Sequence, residues 1–204
     1  MLKMFLASSF KDVVGLFRKF ADEDLKGKTL TFIPTASIPE EVVHYVDTAK
    51  EEFKKLGVVL EELDVAVASP EEIKEKLERN DLIYVSGGNT FFLLQELRRS
   101  GTDKIIKEQV DSGKLYIGES AGAIVTSPNI EYIRFMDDKE KATQLKTFEG
   151  LNLVEFYPVP HYSNEPFKDS TSAIIAHYDS ALNLLPISNT QVIKVKENDV
   201  IVCE

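Results

Sequence analysis

Short apolar runs alternate with amphipathic helical stretches along most of this chain, and that alternation predicts an α/β domain: three layers, with helices on both faces of a mostly parallel central sheet. Three observations carry the prediction. Residues 30–33, 82–85 and 115–117 are strand-length and almost wholly apolar, as strands covered on both faces are. The segments between them place apolar residues at helical spacing. The connections are short, which calls for right-handed crossovers onto parallel neighbours.

The elements follow in order. Residues 1–7 read as a first strand. Their apolar stretch is too short for a signal peptide, and Lys11, Asp12 and Arg18 follow closely. The strand at 30–33 ends at Pro34. Ser37 then offers an N-cap, with Pro39, Glu40 and Glu41 in a first turn. Val42, Tyr45, Val46, Ala49, Phe53 and Leu56 line one helical face, and Gly57 is the stop. Residues 58–60 form the next strand. Ser69 and Pro70 open a helix carrying Ile73 and Leu77. After the strand at 82–85, a helix covers 90–97, Gly101 interrupts, and a second helix covers 103–110 up to Gly113. Beyond about Asn129 the alternation weakens. Strands are expected at 130–133 and 154–157, and a closing meander at 182–185, 192–195 and 200–202, with Asn198 and Asp199 as a hairpin turn. No repeat, linker or low-complexity segment divides the chain, so residues 1–204 read as one catalytic domain.

Composition narrows the function. The 204 residues carry a net charge of -10, with 43% hydrophobic and 28% charged residues. So acidic a chain repels nucleic acid and anionic membranes, and neither is expected as a partner. The single cysteine, Cys203, forms no internal disulfide, and no Cys/His cluster has zinc spacing. No metal or cofactor is expected. No run approaches the ~20 apolar residues of a membrane span, so a cytoplasmic location is expected, as a monomer or homodimer.

In open α/β sheets, ligands bind beyond the carboxyl ends of the strands. The residues after Ile33, Val85 and Ile117 are therefore the ones that matter. Ile117 is followed by Gly118-Glu119-Ser120-Ala121-Gly122-Ala123, a Gly-x-Ser-x-Gly pattern at a strand-to-helix turn. Such a turn lifts the serine hydroxyl clear of the sheet, and small flanking residues avoid clashes there. Ser120 is the candidate nucleophile. Glu119 either complements a helix N-terminus, the default, or faces the substrate. The following helix directs its N–H groups at the site.

Val85 is followed by Ser86-Gly87-Gly88-Asn89-Thr90, which opens a helix. Paired glycines let a substrate approach bare N–H groups. The N–H of Gly88 and that of Ala121 are the natural oxyanion hole, while Gly87 and Asn89 are placed at the substrate. The loop is neither Gly-x-Gly-x-x-Gly nor a P-loop.

A serine nucleophile needs a base. Of three histidines, His44 and His177 sit in amphipathic helices. His161 follows a strand in Pro158-Val159-Pro160-His161-Tyr162, where prolines stiffen the approach. His161 is the candidate base. A carboxylate to hold its tautomer is available at Asp137, with Asp138 in reserve; both lie between Ser120 and His161 in the chain.

Ser86-Gly87-Gly88-Asn89-Thr90-Phe91, the Gly118–Ala123 stretch (118–123) and Pro160-His161-Tyr162 together resemble the peptidase E (aspartyl dipeptidase) family of serine peptidases, as does Ile33-Pro34-Thr35-Ala36. The resemblance implies a flavodoxin-like, class I glutamine amidotransferase-like fold, attack of Ser120 on a peptide carbonyl, His161 as base and Gly88 in the oxyanion hole. It points to Asp137 as the aspartate before the histidine. A small peptide substrate and no cofactor are implied. The sequence departs from the family pattern after the histidine: Pro166-Phe167-Lys168-Asp169-Ser170 lacks the family's substrate-gripping arginine, for which Lys168 offers only a point charge. Leu185-Pro186-Ile187-Ser188-Asn189 replaces a Leu-Pro-Glu-Gly stretch. A dipeptidase or aminopeptidase broader than Asp-X is expected. The alternatives are an esterase or an amidase on a non-standard polymer, cyanophycinase-like, and a non-catalytic scaffold for a metabolite or partner.

Overall fold

The computed structural model describes residues 2–204. A seven-stranded sheet runs in the order β3 (Val59–Glu62), β2 (Thr29–Ile33), β4 (Leu82–Val85), β5 (Leu115–Glu119), β1 (Lys3–Ala7), β8 (Val192–Lys196), β9 (Asp199–Cys203). The first five are mutually parallel; β8 runs antiparallel to β1, and β9 antiparallel to β8. Helices α1 (Phe10–Ala21), α2 (His44–Lys55), α3 (Pro70–Arg79), α4 (Thr90–Ser100) and α5 (Thr102–Asp111) connect the parallel strands. A four-residue α6 (Ala121–Ile124) follows β5. Two further strands, β6 (Tyr157–Val159) and β7 (Leu184–Pro186), pair parallel in a small separate sheet and flank α7 (Lys168–Tyr178).

The apolar strands are apolar throughout because both faces are covered. In β4, Leu82 and Tyr84 pack on one side, and Ile83 and Val85 on the other. The first side is an aromatic core: Phe10 of α1 stacks on Phe53 of α2 at 4.3 Å, and Phe32 stacks on Tyr84 at 4.6 Å. The second is aliphatic, with Leu93, Leu94 and Leu97 of α4 and Ile106 and Val110 of α5 against Ile83 and Val85. Each such side chain contributes about 1.5–3 kcal/mol on burial. The caps match the chemistry of their residues. Ser69 Oγ accepts the N–H of Glu72, and Pro70 sits at the first helical position. Gly101, at φ 75°, ends α4 in the left-handed region where a side chain is disfavoured.

Four expectations are corrected. Ser37 does not cap α2: it lies in a 3-10 turn, where its Oγ donates to the Pro34 carbonyl at 2.8 Å, and the helix begins seven residues later at His44. Residues 130–133 are not a strand. Asn129 Oδ1 accepts the Glu131 N–H at 2.8 Å and winds the chain into the 3-10 turn Glu131–Phe135. The closing meander divides, since β7 pairs with β6 and only β8 and β9 form a hairpin. Its turn is Glu197 and Asn198, one residue early, with Lys196 opposite Asp199 and Glu197 at φ 56°. Helix α1 had no counterpart among the expected elements, although Phe10, Val13, Phe17 and Ala21 mark its buried face. Met1 of the expected first strand lies outside the described residues. No helix among the described residues is long and apolar enough to cross a membrane.

Candidate active site

Strand β5 delivers Ser120 at φ 49° and ψ -108°, a conformation that costs a non-glycine residue on the order of 1–3 kcal/mol. The surroundings enforce it. The Ser120 N–H donates to the Ala7 carbonyl of β1 at 2.8 Å, and the Ser120 carbonyl accepts the N–H groups of Ala123 and Ile124. The flanking glycines are required by space. A Cβ on Gly118 would lie 2.4 Å from the Gly122 carbonyl oxygen, and one on Gly122 would lie 2.1 Å from that of Val85. The helix that follows is a single turn, so what it offers an anion is local N–H groups rather than a macrodipole.

The structure brings His161 to Ser120. Nε2 of His161 lies 3.0 Å from Ser120 Oγ. The histidine is itself left-handed, at φ 64°, and its N–H donates to Ser8 Oγ at 2.9 Å; Ser8 in turn donates to the Ile187 carbonyl at 3.0 Å. The Phe167 ring stacks on the imidazole at 4.7 Å. Nδ1 faces Oδ1 of Asn189 at 2.8 Å. An amide oxygen only accepts, so Nδ1 carries the proton and Nε2 is left as acceptor for the serine hydroxyl. Burial pulls the His161 pKa below its ordinary value, with the Asn189 hydrogen bond opposing. The ring is therefore neutral near pH 7.

The residue beside Nδ1 is thus an asparagine from the loop after β7. The expectation that Asp137 or Asp138 orients the imidazole is corrected. Oδ2 of Asp137 accepts the Thr90 N–H at 2.8 Å, and Asp138 Oδ1 accepts the N–H of Glu140 at 2.9 Å. Neither carboxylate is hydrogen-bonded to His161 among the described residues. The signal for Asn189 was present in the sequence, in the 185–189 stretch that departs from the family pattern, but a search for carboxylates passed over an amide.

Gly87 and Gly88 lie where expected, at the carboxyl end of β4. A Cβ on Gly87 would sit 3.2 Å from Ser120 Cβ. Gly88, at φ 132°, has the Ala36 carbonyl oxygen 2.1 Å from where a Cβ would stand, so no other residue fits. Among the described residues, neither the Gly88 nor the Ala121 N–H has a hydrogen-bond acceptor. The Ser120 N–H, by contrast, is occupied. Asn89 is buried, its Oδ1 caps α4 through the Phe92 N–H at 2.9 Å, and its Nδ2 donates to the Asp138 carbonyl at 3.0 Å. Through these two bonds Asn89 holds the glycine loop in place.

Ser120, His161, Asn189, Gly87 and Gly88 border one cavity of about 580 Å³, at the carboxyl ends of β1, β4 and β5. Lys168 is not among its lining residues; it is exposed at the start of α7. His44 borders the cavity at the start of α2, whereas His177 lies away from it, beside Arg134. Glu119 takes the capping role, though on another helix than the one it precedes. Its Oε1 accepts the N–H of Phe10, first residue of α1, at 2.7 Å, and Oε2 accepts the Tyr84 hydroxyl. Burial pushes its carboxyl up to about 7, against those two hydrogen bonds. Burial likewise pushes Asp137 up to about 6.

The geometry joins a strained serine and an imidazole at one cleft, with the N–H groups of Gly88 and Ala121 close in the chain to its lining residues Gly87 and Ser120 and without acceptors among the described residues. The family model described as peptidase family S51 matches residues 4–203. The chain belongs to peptidase family S51. This S51 chain is 56% identical over 201 residues to an uncharacterized peptidase of Listeria innocua, covering 98% of this chain and 96% of that one. It is 52% identical over 202 residues to another from Pasteurella multocida, covering 99% and 97%. Peptidase E of a Nostoc species is 30% identical over 168 residues, covering 79% of this chain and 66% of the relative. A crystal structure from Listeria monocytogenes EGD-e superimposes with a TM-score of 0.96 at 54% identity, over 100% of this chain and 98% of that one. The S51 chain is thus a peptidase of the serine hydrolase class, with the class I glutamine amidotransferase-like fold.

Proposed function

We propose that this peptidase releases the N-terminal residue from dipeptides or short peptides, with Ser120 as nucleophile, His161 as general base and Asn189 as the group that holds the imidazole. The observation that carries the reading is the 3.0 Å contact between His161 Nε2 and the Oγ of the strained Ser120, at the edge of the cavity. In the acylation step, Ser120 Oγ bonds to the carbonyl carbon and passes its proton to Nε2. The electron pair of the carbonyl moves to its oxygen, where the N–H groups of Gly88 and Ala121 receive the charge. The imidazolium then gives its proton to the departing amine as the peptide bond breaks. Water, activated by the same nitrogen, releases the acyl group and restores the serine. Asn189 supplies orientation without charge, so the imidazolium gains no carboxylate counter-ion from it.

The intact Ser120–His161 contact argues against a non-catalytic scaffold. The test is hydrolysis of dipeptides and aminoacyl anilides led by Asp, Ala, Leu, Met and Lys, by wild type and Ser120→Ala. Turnover that depends on Ser120 and on the leading residue supports the reading. Turnover of simple esters with none of any peptide or anilide overturns it in favour of an esterase.

A further inference from the structure

Asp137 takes no part in the proton transfers proposed at Ser120. Asp137 borders the same cleft as Ser120: Oδ2 accepts the Thr90 N–H, the Thr90 hydroxyl also lies near the carboxyl, and Oδ1 makes no hydrogen bond of normal geometry among the described residues. Tyr45 lines the cavity too, but its hydroxyl is fully buried, out of a ligand's reach, and has no partner among the described residues. The edge of its ring lies 3.5 Å from where a Cβ of Gly87 would stand, the same point that lies 3.2 Å from Ser120 Cβ. Tyr45 is therefore beside the reacting serine. Glu40, on the exposed loop before α2, borders the cavity too and lies close enough to affect the titration of both Tyr45 and Asp137.

The charge of the whole cavity points the same way. Its lining includes six carboxyl groups, those of Asp12, Glu40, Glu119, Asp137, Asp138 and Glu165, of which burial keeps Glu119 and Asp137 partly protonated, against the two lysines Lys11 and Lys141, and no arginine. A cleft with such a balance concentrates cations and repels anions. An ammonium group has three N–H donors and no acceptor. The free Oδ1 of Asp137 and the carboxylate of Glu40 are two acceptors among the groups of the cleft.

We propose, on the basis of the N-terminal peptidase reading, that Asp137 and Glu40 form the subsite for the substrate's free α-ammonium, and that the acidic cleft rejects peptides led by Asp or Glu. The substrate class is then a short peptide with an unblocked amino terminus and a neutral or basic first side chain. A docked ammonium supplies the positive charge that burial denies Asp137, so binding holds that carboxylate ionised. Asp137 acts on binding and placement, not on the proton transfers at Ser120.

The test compares alanyl anilide, its desamino analogue propionyl anilide, and aspartyl anilide as substrates for wild type, Asp137→Asn and Glu40→Gln. Asparagine retains an oxygen for the Thr90 N–H, so Asp137→Asn removes charge while keeping the hydrogen bond. Wild type prefers the alanyl over the propionyl compound by roughly 100-fold or more, and the aspartyl compound is the poorest of the amines. Asp137→Asn raises KM for the alanyl compound by roughly 10- to 100-fold, with a smaller change in kcat, and narrows the alanyl-to-propionyl preference. Glu40→Gln, at an exposed position that tolerates substitution, moves both readouts the same way by a few-fold and keeps the test open should Asp137→Asn not fold. Equal turnover of alanyl and propionyl anilide by wild type overturns the proposal, as does a preference unchanged in both charge variants, or efficient cleavage of the aspartyl compound. Covalent labelling of wild-type Ser120 by a fluorophosphonate separates the two levels. Labelling with no amine preference leaves the serine hydrolase standing and removes the subsite, whereas absence of labelling removes the serine mechanism itself.

Discussion

Asn189 holds His161 by its amide oxygen, 2.8 Å from Nδ1, where a carboxylate would add a counter-charge. Two outcomes follow from that difference. Asn189→Ala frees the ring to take the wrong tautomer and lowers kcat by about 10- to 1000-fold, with KM little changed. Asn189→Asp keeps the geometry but places an anion beside the ring. It raises the His161 pKa, and the acid limb of the kcat/KM profile moves to higher pH by about 1–2 units. In wild type that limb lies below the ordinary histidine value, because burial favours the neutral ring. Steady-state pH profiles of the two variants check both outcomes.

Ser8 holds the histidine backbone. Its hydroxyl accepts the His161 N–H and donates to the Ile187 carbonyl, so it ties three segments at the point where His161 is left-handed. Ser8→Ala leaves both groups without this partner and costs about 1–3 kcal/mol of stability. It also lowers kcat, because the imidazole loses its fixed direction. Thermal unfolding and kinetics on the same preparation measure the two effects.

Gly122 is set by contact rather than chemistry. A methyl there would lie 2.1 Å from the Val85 carbonyl oxygen. Gly122→Ala therefore forces β4 from β5 or distorts the Ser120 turn, at a cost of about 3 kcal/mol or more. Urea unfolding checks the loss. A variant as stable as wild type would mean that the turn is looser than described.

Glu119 gives a pH dependence of stability. Its folded pKa, about 7, is raised above the ordinary 4.5, so the folded state binds more protons between those values. Stability from this group is present at pH values below about 4.5 and is lost as pH rises through 7, on the order of 1–3 kcal/mol. Asp137, raised from 3.8 to about 6, adds a loss of the same sign at lower pH. Glu119→Gln keeps an acceptor for the Phe10 N–H and removes the ionisation. The expected result is a decline in Tm from pH 5 to pH 8 in wild type that is flatter in the variant.

The fold was legible where a local signal coincided with a buried strand. Residues 82–85 and 115–117 are apolar on both faces, and Ser69-Pro70 and Gly101 punctuate their helices by chemistry that acts within a few residues. The same holds for Ser120, whose glycines are demanded by its own turn, and for His161, stiffened by the prolines before it. Legibility failed where a partner came from far along the chain. Asn189 meets His161 across 28 residues, and Ser8 meets it across 153. Neither has a local pattern. Asp137 was misplaced for the same reason: chain order among Ser, Asp and His carries no distance, and its real partner is the N–H of Thr90, across 47 residues.

The central claim is that Ser120 is the nucleophile and that His161 activates it. The most direct measurement is the intact mass, then the peptide map, of wild type, Ser120→Ala and His161→Ala after exposure to a fluorophosphonate. The account predicts one adduct per chain on the peptide that contains Ser120, none in Ser120→Ala, and labelling slowed by about 100-fold or more in His161→Ala. An adduct on another residue, or labelling of His161→Ala at the wild-type rate, would contradict it.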